Sequence, residues 1–248
     1  MNPGEYKNLN EVERLHWFYR TKREIVRYWL LKSYPLQSDS VLADCGAGTG
    51  LFASEMTDIC HVIAIDSHED ALRLAEQNIG AENVKKGSCT ALPLKDSSVD
   101  CITALDVIEH VEDDRLAVRE FARVLKPGGV IVVTVPAMPL LWSDWDVALH
   151  HYRRYHHKDL LKLFDAALFE IMHWNYINVL ALPAVFATRK LRPLFHSAAA
   201  DKSSRRLEDK MLPSFLDNTL SFAFKALACQ SWIRFPAGVS LLAIAERR

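Results

Sequence analysis

The sequence concentrates its glycine in one turn. Only 9 of 248 residues are glycine, yet Gly46, Gly48 and Gly50 fall within five positions. They follow an apolar run that carries Asp44 near its end. Glycine lets the backbone turn sharply and present N–H groups to a ligand lying over the start of the next helix. A strand, an acid and spaced glycines therefore predict a doubly wound α/β fold with a ligand at the carboxyl ends of its strands.

The same turn argues against a dinucleotide ligand. The NAD and FAD fingerprint needs a glycine at position 51, which is Leu51 in this chain. The next predicted strand ends in Asp66, 20 residues after Gly46. An acid at that place can accept hydrogen bonds from ribose hydroxyls. The pattern predicts a ligand that contains a ribose.

Strands and helices alternate over most of the chain, which indicates right-handed crossovers and a mainly parallel sheet. Apolar spacing over Glu11–Lys32 predicts one amphipathic N-terminal helix. The predicted strands are Ser40–Cys45, Val62–Ile65, Val84–Lys86, Val99–Leu105, Gly129–Val135 and Leu168–Tyr176. The predicted helices between them are Thr49–Thr57, Glu69–Asn78, Asp113–Val124 and His157–Phe164.

After Tyr176 the alternation stops. Residues 177–235 read as helical, and Val239–Ala245 reads as a last apolar strand. We therefore expect one domain over 1–248. Its parts are an N-terminal cap helix (1–35), a cofactor-binding core (36–176), a helical lid insertion (177–235) and a final strand (236–248).

Composition bears on the charge of the substrate, on the cysteines and on the cellular location. The formal charge is −1 overall, but residues 36–149 are acidic and both flanks are basic. Either the charge is merely scattered unevenly, or the basic parts face an anionic substrate or surface. Five cysteines without CxxC spacing predict neither a zinc ribbon nor a disulfide framework. With no apolar run typical of a signal peptide or a membrane span, we expect a cytoplasmic protein.

Four segments together resemble the class I S-adenosylmethionine-dependent methyltransferases, in particular the branch with ubiquinone/menaquinone-type and bacterial small-molecule enzymes. They are VLADCGAGTG, VIAIDSHEDALRLAEQN, GSCTALPLKDSSVDCITALDVIEHVEDD and RVLKPGGVIVVTVP. The resemblance covers most of the chain. It implies a Rossmann-like seven-stranded sheet of order 3-2-1-4-5-7-6 with strand 7 antiparallel. It also implies S-adenosyl-L-methionine as cofactor and an enzyme that transfers methyl groups.

The resemblance implies a cofactor site residue by residue. Acid and glycine positions would surround the methionine part, Asp66 would hold the ribose, and the residues after Gly87 would meet the adenine. This chain has Ser88 where the branch has Asp, which weakens that contact. The full implied set is Asp44, Gly46, Ala47, Gly48, Gly50, Asp66, Ser67, Ser88, Cys89, Leu105, Asp106 and, from the N-terminal aromatic–basic segment HWFYRTKREI, Arg23.

Two constellations compete for the acceptor side. The loop WSDWDVALHHYRRYHH (142–157) follows the fifth strand, and His151 in it is the best candidate for a catalytic base; otherwise the loop only positions the lid. The second is Asp106, Glu109 and His110. Some quinone-pathway relatives hold a divalent ion at this place, but the more ordinary role is a pocket wall and helix start. Asp106 is the other catalytic candidate.

The leading prediction is methyl transfer to a small acceptor, either anionic or lipid-linked, with the lid closing over the site. Aromatic and basic residues in 177–235 also suit peripheral membrane contact. The alternatives are a nucleic-acid or protein methyltransferase and a non-catalytic cofactor-binding module. A near-neutral isoelectric point of about 6.8 and the absence of an Asn-Pro-Pro-Tyr-type motif after Leu105 disfavour nucleic acid. The chain is expected to be a monomer or homodimer.

Overall fold

The computed structural model describes residues 10–191 and 213–248. Part of the predicted lid, 192–212, lies outside the described residues. The helices are α1 Trp17–Ser33, α2 Leu51–Met56, α3 Glu69–Ile79, α4 Asp114–Val124, α5 Asp144–Ala148, α6 His157–Leu161, α7 Leu182–Phe186 and α8 Ser214–Ala228. The strands are β1 Val41–Cys45, β2 His61–Asp66, β3 Val84–Lys86, β4 Val99–Leu105, β5 Leu125–Pro136, β6 Phe169–Ile177 and β7 Ser240–Arg247.

The seven strands form one sheet in the order β3-β2-β1-β4-β5-β7-β6. β1 pairs in parallel with β2 and β4, and β5 pairs in parallel with β4, whereas β7 is antiparallel to both of its neighbours. The strand order and the antiparallel β7 implied by the resemblance are therefore confirmed.

Alternate residues of the central strands pack into two cores, one on each face of the sheet. On β4, Cys101 points into the core beneath α1 and α3, while Ile102 points into the core beneath α4. Both side chains are fully buried. Because neighbouring residues of a strand face opposite sides, a continuous apolar run is what a sheet covered on both faces requires.

Two predicted boundaries are wrong for local reasons. The N-terminal helix is not continuous, because residues 10–15 are helical and the helix breaks at His16 before α1 begins. His16 caps α1, since its Nδ1 accepts a hydrogen bond from the Phe18 N–H. The fifth strand, predicted to begin at Gly129, begins at Leu125 and includes Gly128. There Gly128 has a φ of +78° and the pairing with β4 shifts register between Val99 and Cys101, as at a bulge.

The insertion before β7 packs on the N-terminal helix. Phe224 of α8 stacks on Phe18 with ring centroids 5.9 Å apart, and the Trp29 indole N–H donates to the Ala228 carbonyl at 3.0 Å. Arg20 pairs with Asp217 across the same seam at 2.5 Å. α8 therefore supports α1 from outside, and α1 is the element that reaches the carboxyl ends of the strands.

Candidate active site

A cavity of about 1480 Å³ opens at the carboxyl ends of the central strands. Its wall includes Asp44 from β1, Asp66 from β2, Leu105 from β4 and Pro136 from β5. The N-terminal helix closes one side and the segment after β5 closes another. Parallel sheets bind ligands at this edge, so the position agrees with the sequence expectation.

The glycine turn shapes one wall of the cavity with its backbone. At Gly46 a Cβ would lie 2.4 Å from Val107 Cγ2, so no side chain fits there. At Gly48, whose φ is +55°, a Cβ would meet nothing within 4 Å. Gly48 lines the cavity, so its missing side chain leaves room for a ligand to approach the backbone.

The turn uses its own donors internally, contrary to the sequence expectation. The N–H groups of Gly46 and Ala47 donate to the Ile65 carbonyl at 2.7 and 3.1 Å, and the Gly48 N–H donates to Asp66 Oδ2 at 3.0 Å. These bonds fix the turn against the end of β2. The turn therefore contributes a close-fitting surface, and the polar recognition falls to side chains.

Asp66 is the side chain best placed for that recognition. Its two oxygens accept from Gly48 N–H and from His68 N–H at 2.9 Å, and its side chain remains 13% exposed, at the cavity wall. A carboxylate oxygen can accept more than one hydrogen bond, so each keeps capacity for a ligand hydroxyl. The neighbouring Ser67 also lines the cavity.

Asp44 lies deeper, with only 2% of its surface exposed. Burial raises the pKa of its carboxyl to about 7; the Asp66 and Glu13 carboxylates act in the same direction, and the Thr103 hydroxyl, which donates at 2.7 Å, offsets part of this. A positive charge on a ligand beside it would favour the ionised form. The carboxyl is therefore sensitive to what occupies the cavity.

Most other residues of the implied cofactor set reach the cavity. Ala47, Ser88, Cys89 and Leu105 line it. Gly50 does not: it precedes α2, where a Cβ would lie 2.8 Å from Ala75 Cα. Its role is to let α2 and α3 approach each other.

Arg23 lines the cavity, but its guanidinium is already engaged. It donates to Glu55 Oε1 and to the Glu13 carbonyl, both at 2.7 Å. Of the other aromatic and basic residues in that segment, Tyr19 lines the cavity, whereas Trp17 packs against Phe224 and Arg20 pairs with Asp217.

Lys22 is a site residue that the sequence analysis did not identify. It is 4% exposed and forms an ion pair with Asp106, which also accepts from the Thr134 hydroxyl at 3.1 Å. Burial opposes ionisation of Asp106, but Lys22 outweighs it and lowers the pKa of that carboxyl. Lys22 stands one turn before Ile25 and Val26 on the apolar face of α1, and that spacing is the signal that could have identified it.

A second part of the cavity wall brings Glu109, His110 and His151 together. One ligand atom from each lies within 4.8 Å of the others. Glu109 is fully buried, and neither of its oxygens has a hydrogen-bond partner among the described residues. Burial, reinforced by the Asp106 carboxylate, raises the pKa of Glu109 well above its usual range. The sequence candidates His151 and Glu109–His110 thus form one cluster, whereas Asp106 is held by Lys22.

Asp146 organises this wall from behind. It is fully buried, and its Oδ1 accepts from Arg154 at 2.8 Å and lies 3.1 Å from His151 Nδ1. Its Oδ2 accepts from the Ser143 N–H at 3.0 Å and from Arg189 at 3.3 Å. Burial alone would raise the pKa of Asp146, but His151 and the two arginines hold it far below its usual range.

The predicted lid takes part in the same network. Arg189 lines the cavity, and Lys190 donates to the Trp142 carbonyl at 2.8 Å, so the segment after β6 meets the loop after β5.

Across the described part of the chain, no helix is long and apolar enough to cross a membrane.

Comparison with known proteins identifies the family. A family model described as a methyltransferase domain matches residues 43–133. A Mycolicibacterium smegmatis protein named as an S-adenosylmethionine-dependent methyltransferase is 32% identical over 171 residues, which are 68% of this chain and 65% of the relative. A demethylmenaquinone methyltransferase of Lactiplantibacillus plantarum is 25% identical over 75% of this chain and 92% of its own. The chain thus spans just under two thirds of the mycolicibacterial relative.

Solved structures agree on the fold. A Haloferax volcanii methyltransferase bound to the Trm112 activator superposes with a TM-score of 0.63 at 18% identity, covering 98% of this chain and 93% of that one. A Galdieria sulphuraria protein named as a sarcosine dimethylglycine methyltransferase gives a TM-score of 0.61 at 18% identity, covering 91% of this chain and 84% of that one. The chain belongs to the class I S-adenosylmethionine-dependent methyltransferases, a family whose cofactor is S-adenosyl-L-methionine.

Proposed function

We propose that this protein transfers the methyl group of S-adenosylmethionine to a small acceptor inside the 1480 Å³ cavity. The observation that carries the proposal is that one cavity holds two unlike walls. The glycine turn and Asp66 line one wall, and the Glu109–His110–His151 cluster lines the other. A transferase needs both a cofactor surface and an acceptor surface facing each other.

The chain's residues fit the cofactor. The open position at Gly48 admits the cofactor against the backbone, Asp66 has accepting capacity for the ribose hydroxyls, and Asp44 gives a carboxyl whose ionisation a cation favours. When bound, the cofactor supplies a methyl group already activated by a positively charged sulfur. The protein then aligns the acceptor and excludes water.

On the acceptor side we propose His151 as the residue that acts on the acceptor. Asp146 holds its Nδ1, which fixes the ring and leaves Nε2 as the nitrogen available to a proton or a ligand. Asp106 is engaged with Lys22 and Thr134, so its proposed part is to anchor α1 over the cofactor. Arg189 from the segment after β6 supports a lid role for 177–235.

The acceptor is proposed to be a small molecule with an apolar body. Trp142, Trp145, Val147 and Leu149 line the acceptor side of the cavity, which suits such a body. Relatives named as demethylmenaquinone methyltransferases support a lipid-linked form. Phe222 and Trp232, which are 77% and 78% exposed near α8, support contact with a membrane surface that presents it.

Calorimetry with S-adenosylmethionine and S-adenosylhomocysteine tests the cofactor half. We expect both to bind, and Asp66→Ala to weaken them about 10- to 100-fold, the usual worth of hydrogen bonds to a charged group. Asp70→Ala, which removes a carboxylate of α3 that does not line the cavity, is the matched control. A wild-type protein that binds neither compound would end the proposal.

Methyl uptake from the labelled cofactor into a fractionated metabolite and lipid extract tests the acceptor half. The wild type is expected to label a small molecule, and His151→Asn to label far less while it binds S-adenosylhomocysteine as well as the wild type does. Unchanged turnover of the true acceptor by His151→Asn would remove His151 from the reaction.

Sedimentation of the wild type with anionic vesicles, compared with that of Phe222→Ser, tests the membrane contact.

A further inference from the structure

Glu109 is a buried carboxyl for which the described chain supplies no partner. It is fully buried, and neither oxygen accepts a hydrogen bond from a described residue. A buried carboxyl in that state is costly unless something outside the chain satisfies it. Glu109 is among the residues that line the cavity, so a partner would reach its carboxyl from that side.

Two imidazoles lie at the same point. Ligand atoms of Glu109, His110 and His151 lie within 4.8 Å of one another, and the two rings have centroids 4.6 Å apart. The three residues come from two distant segments. The Tyr152 N–H donates to the Glu109 carbonyl at 2.8 Å and so holds the loop after β5 against them.

We propose that Glu109, His110 and His151 bind one divalent transition-metal ion. Two imidazole nitrogens and one carboxylate oxygen suit Zn²⁺, Co²⁺, Fe²⁺ or Mn²⁺, whereas Mg²⁺ and Ca²⁺ prefer oxygen alone. This set differs from the one that the resemblance implies, since Lys22 and Thr134 hold Asp106 and His151 takes its place.

The surroundings of His151 are those of a metal ligand. Its Nδ1 faces Asp146 at 3.1 Å, and the carboxylate is in turn fixed by Arg154 and Arg189. Histidines that bind metals with one ring nitrogen commonly donate the other to a carboxylate, which sets the tautomer and the ring orientation. Asp146 is therefore a positioning residue for the ion.

The spacing requires a modest closure. Ligands of a tetrahedral ion lie about 3.4 Å apart, which is shorter than the 4.8 Å limit observed here. His110 is exposed to the cavity, so its ring can turn toward the ion. Three protein ligands leave a position open to the acceptor.

An ion at this position would polarise an acceptor oxygen. That consequence rests on the proposed function; the binding site itself does not. With the ion bound, His151 acts on the acceptor through the ion and not as a base.

Cobalt binding to the metal-stripped full-length protein tests the site without any turnover. We expect one Co²⁺ per chain by calorimetry, with visible absorption bands that report nitrogen coordination. Glu109→Gln and His151→Asn should each weaken binding at least tenfold, and Asp146→Asn about 10- to 100-fold. Glu112→Gln removes an exposed carboxylate lining the same cavity and should bind Co²⁺ as the wild type does.

The outcomes separate this site from the methyltransferase proposal. The metal site is overturned if the wild type does not bind one Co²⁺ per chain. It is also overturned if Glu109→Gln and His151→Asn bind Co²⁺ as tightly as the wild type does. Thermal unfolding in chelator establishes that each variant is folded before it is scored. S-adenosylhomocysteine binding is measured on the same metal-free protein, so the cofactor proposal can stand when the metal proposal falls, and the reverse.

Discussion

Two buried carboxyls distinguish the cofactor wall of the cavity, formed by the glycine turn and Asp66, from the acceptor wall, formed by Glu109, His110 and His151. Asp44 behind the glycine turn and Asp146 behind His151 are 2% and 0% exposed. Burial raises the pKa of Asp44 to about 7, whereas Arg154, Arg189 and His151 overcome burial and hold the pKa of Asp146 far below its usual range. Burial decides the pKa of Asp44, whereas ion pairs decide the pKa of Asp146; Glu109, on the acceptor wall itself, is buried without such a partner among the described residues.

The difference reflects how each wall is built. Sheet pairing fixes the cofactor wall, because β1 and β2 end side by side and the turns that follow them line the cavity. The acceptor wall joins the segments that follow β4 and β5, which are paired, and Asp146 links the loop after β5 to Arg189 of the segment after β6 through ion pairs. The sheet therefore positions the cofactor wall, while internal ion pairs position the loop of the acceptor wall.

The largest effect is expected from Asp146→Ala. It leaves the Arg154 guanidinium, whose side chain is 3% exposed, buried without its carboxylate. Breaking a buried pair from one side typically costs about 3–5 kcal/mol. Urea denaturation should show that loss, and Asp144→Ala, at an exposed position of the same helix α5, should change the free energy of unfolding by less than about 0.5 kcal/mol. Equal effects of the two would show that Asp146 does not organise the wall.

Asp44 should make stability fall as pH rises. Its folded pKa of about 7 exceeds the ordinary 3.8, so between those values the folded state holds a proton that the unfolded state has lost. Stability should therefore drop by up to about 1.4 kcal/mol per pH unit from pH 4 to 7 on account of this group. Urea denaturation across that range checks it.

Asp44→Asn is the comparison for that pH dependence. The amide cannot titrate and still offers an oxygen to the Thr103 hydroxyl. The free energy of unfolding of the variant, relative to that of the wild type, should therefore rise steadily from pH 4 to 7. Acids that do not interact with Asp44 act equally in both proteins and cancel from the difference. Parallel pH curves for the two proteins would show that Asp44 is ionised as usual and that the walls do not differ in this way.

Gly48→Ala and Gly128→Ala form a matched pair. Both glycines have positive φ, +55° and +78°, and at both a Cβ would meet nothing within 4 Å. Each alanine should therefore cost a similar 1–2 kcal/mol, roughly, through backbone strain. Only Gly48 lines the cavity, so only Gly48→Ala should weaken S-adenosylhomocysteine binding, by about tenfold or more. Equal affinities in calorimetry would place the cofactor away from the turn.

The cofactor wall could be predicted from sequence because its determinants are local. The glycine spacing and the strand-terminal Asp66 lie within short segments, and the alternating pattern fixes where those segments meet. The internal use of the Gly46 and Ala47 N–H groups could not be predicted, since it depends on how closely the turn packs on Ile65. The break at His16 also escaped, because a side-chain cap there replaces helical bonding.

The acceptor wall could be predicted only in parts. His151 and Glu109 were each identifiable as candidates, but nothing in their separation by 41 intervening residues indicates that they meet. Their meeting depends on the Asp146 network and on Tyr152 contacting the Glu109 carbonyl. Lys22 pairs with Asp106 for a similar reason: the partners lie on elements whose contact the sheet topology alone does not define.

The smallest effect on stability is expected from breaking a solvent-exposed ion pair. Lys225 of α8 pairs with Glu24 of α1 at 2.7 Å, but the two side chains are 48% and 45% exposed. Exposed pairs contribute between 0 and about 1 kcal/mol because water screens them and ordering them costs entropy. Glu24→Gln should therefore change urea stability by less than about 1 kcal/mol and leave S-adenosylhomocysteine binding intact. A loss near that of Asp146→Ala would mean that charge pairing itself, whether buried or exposed, holds α1 and the acceptor wall in place.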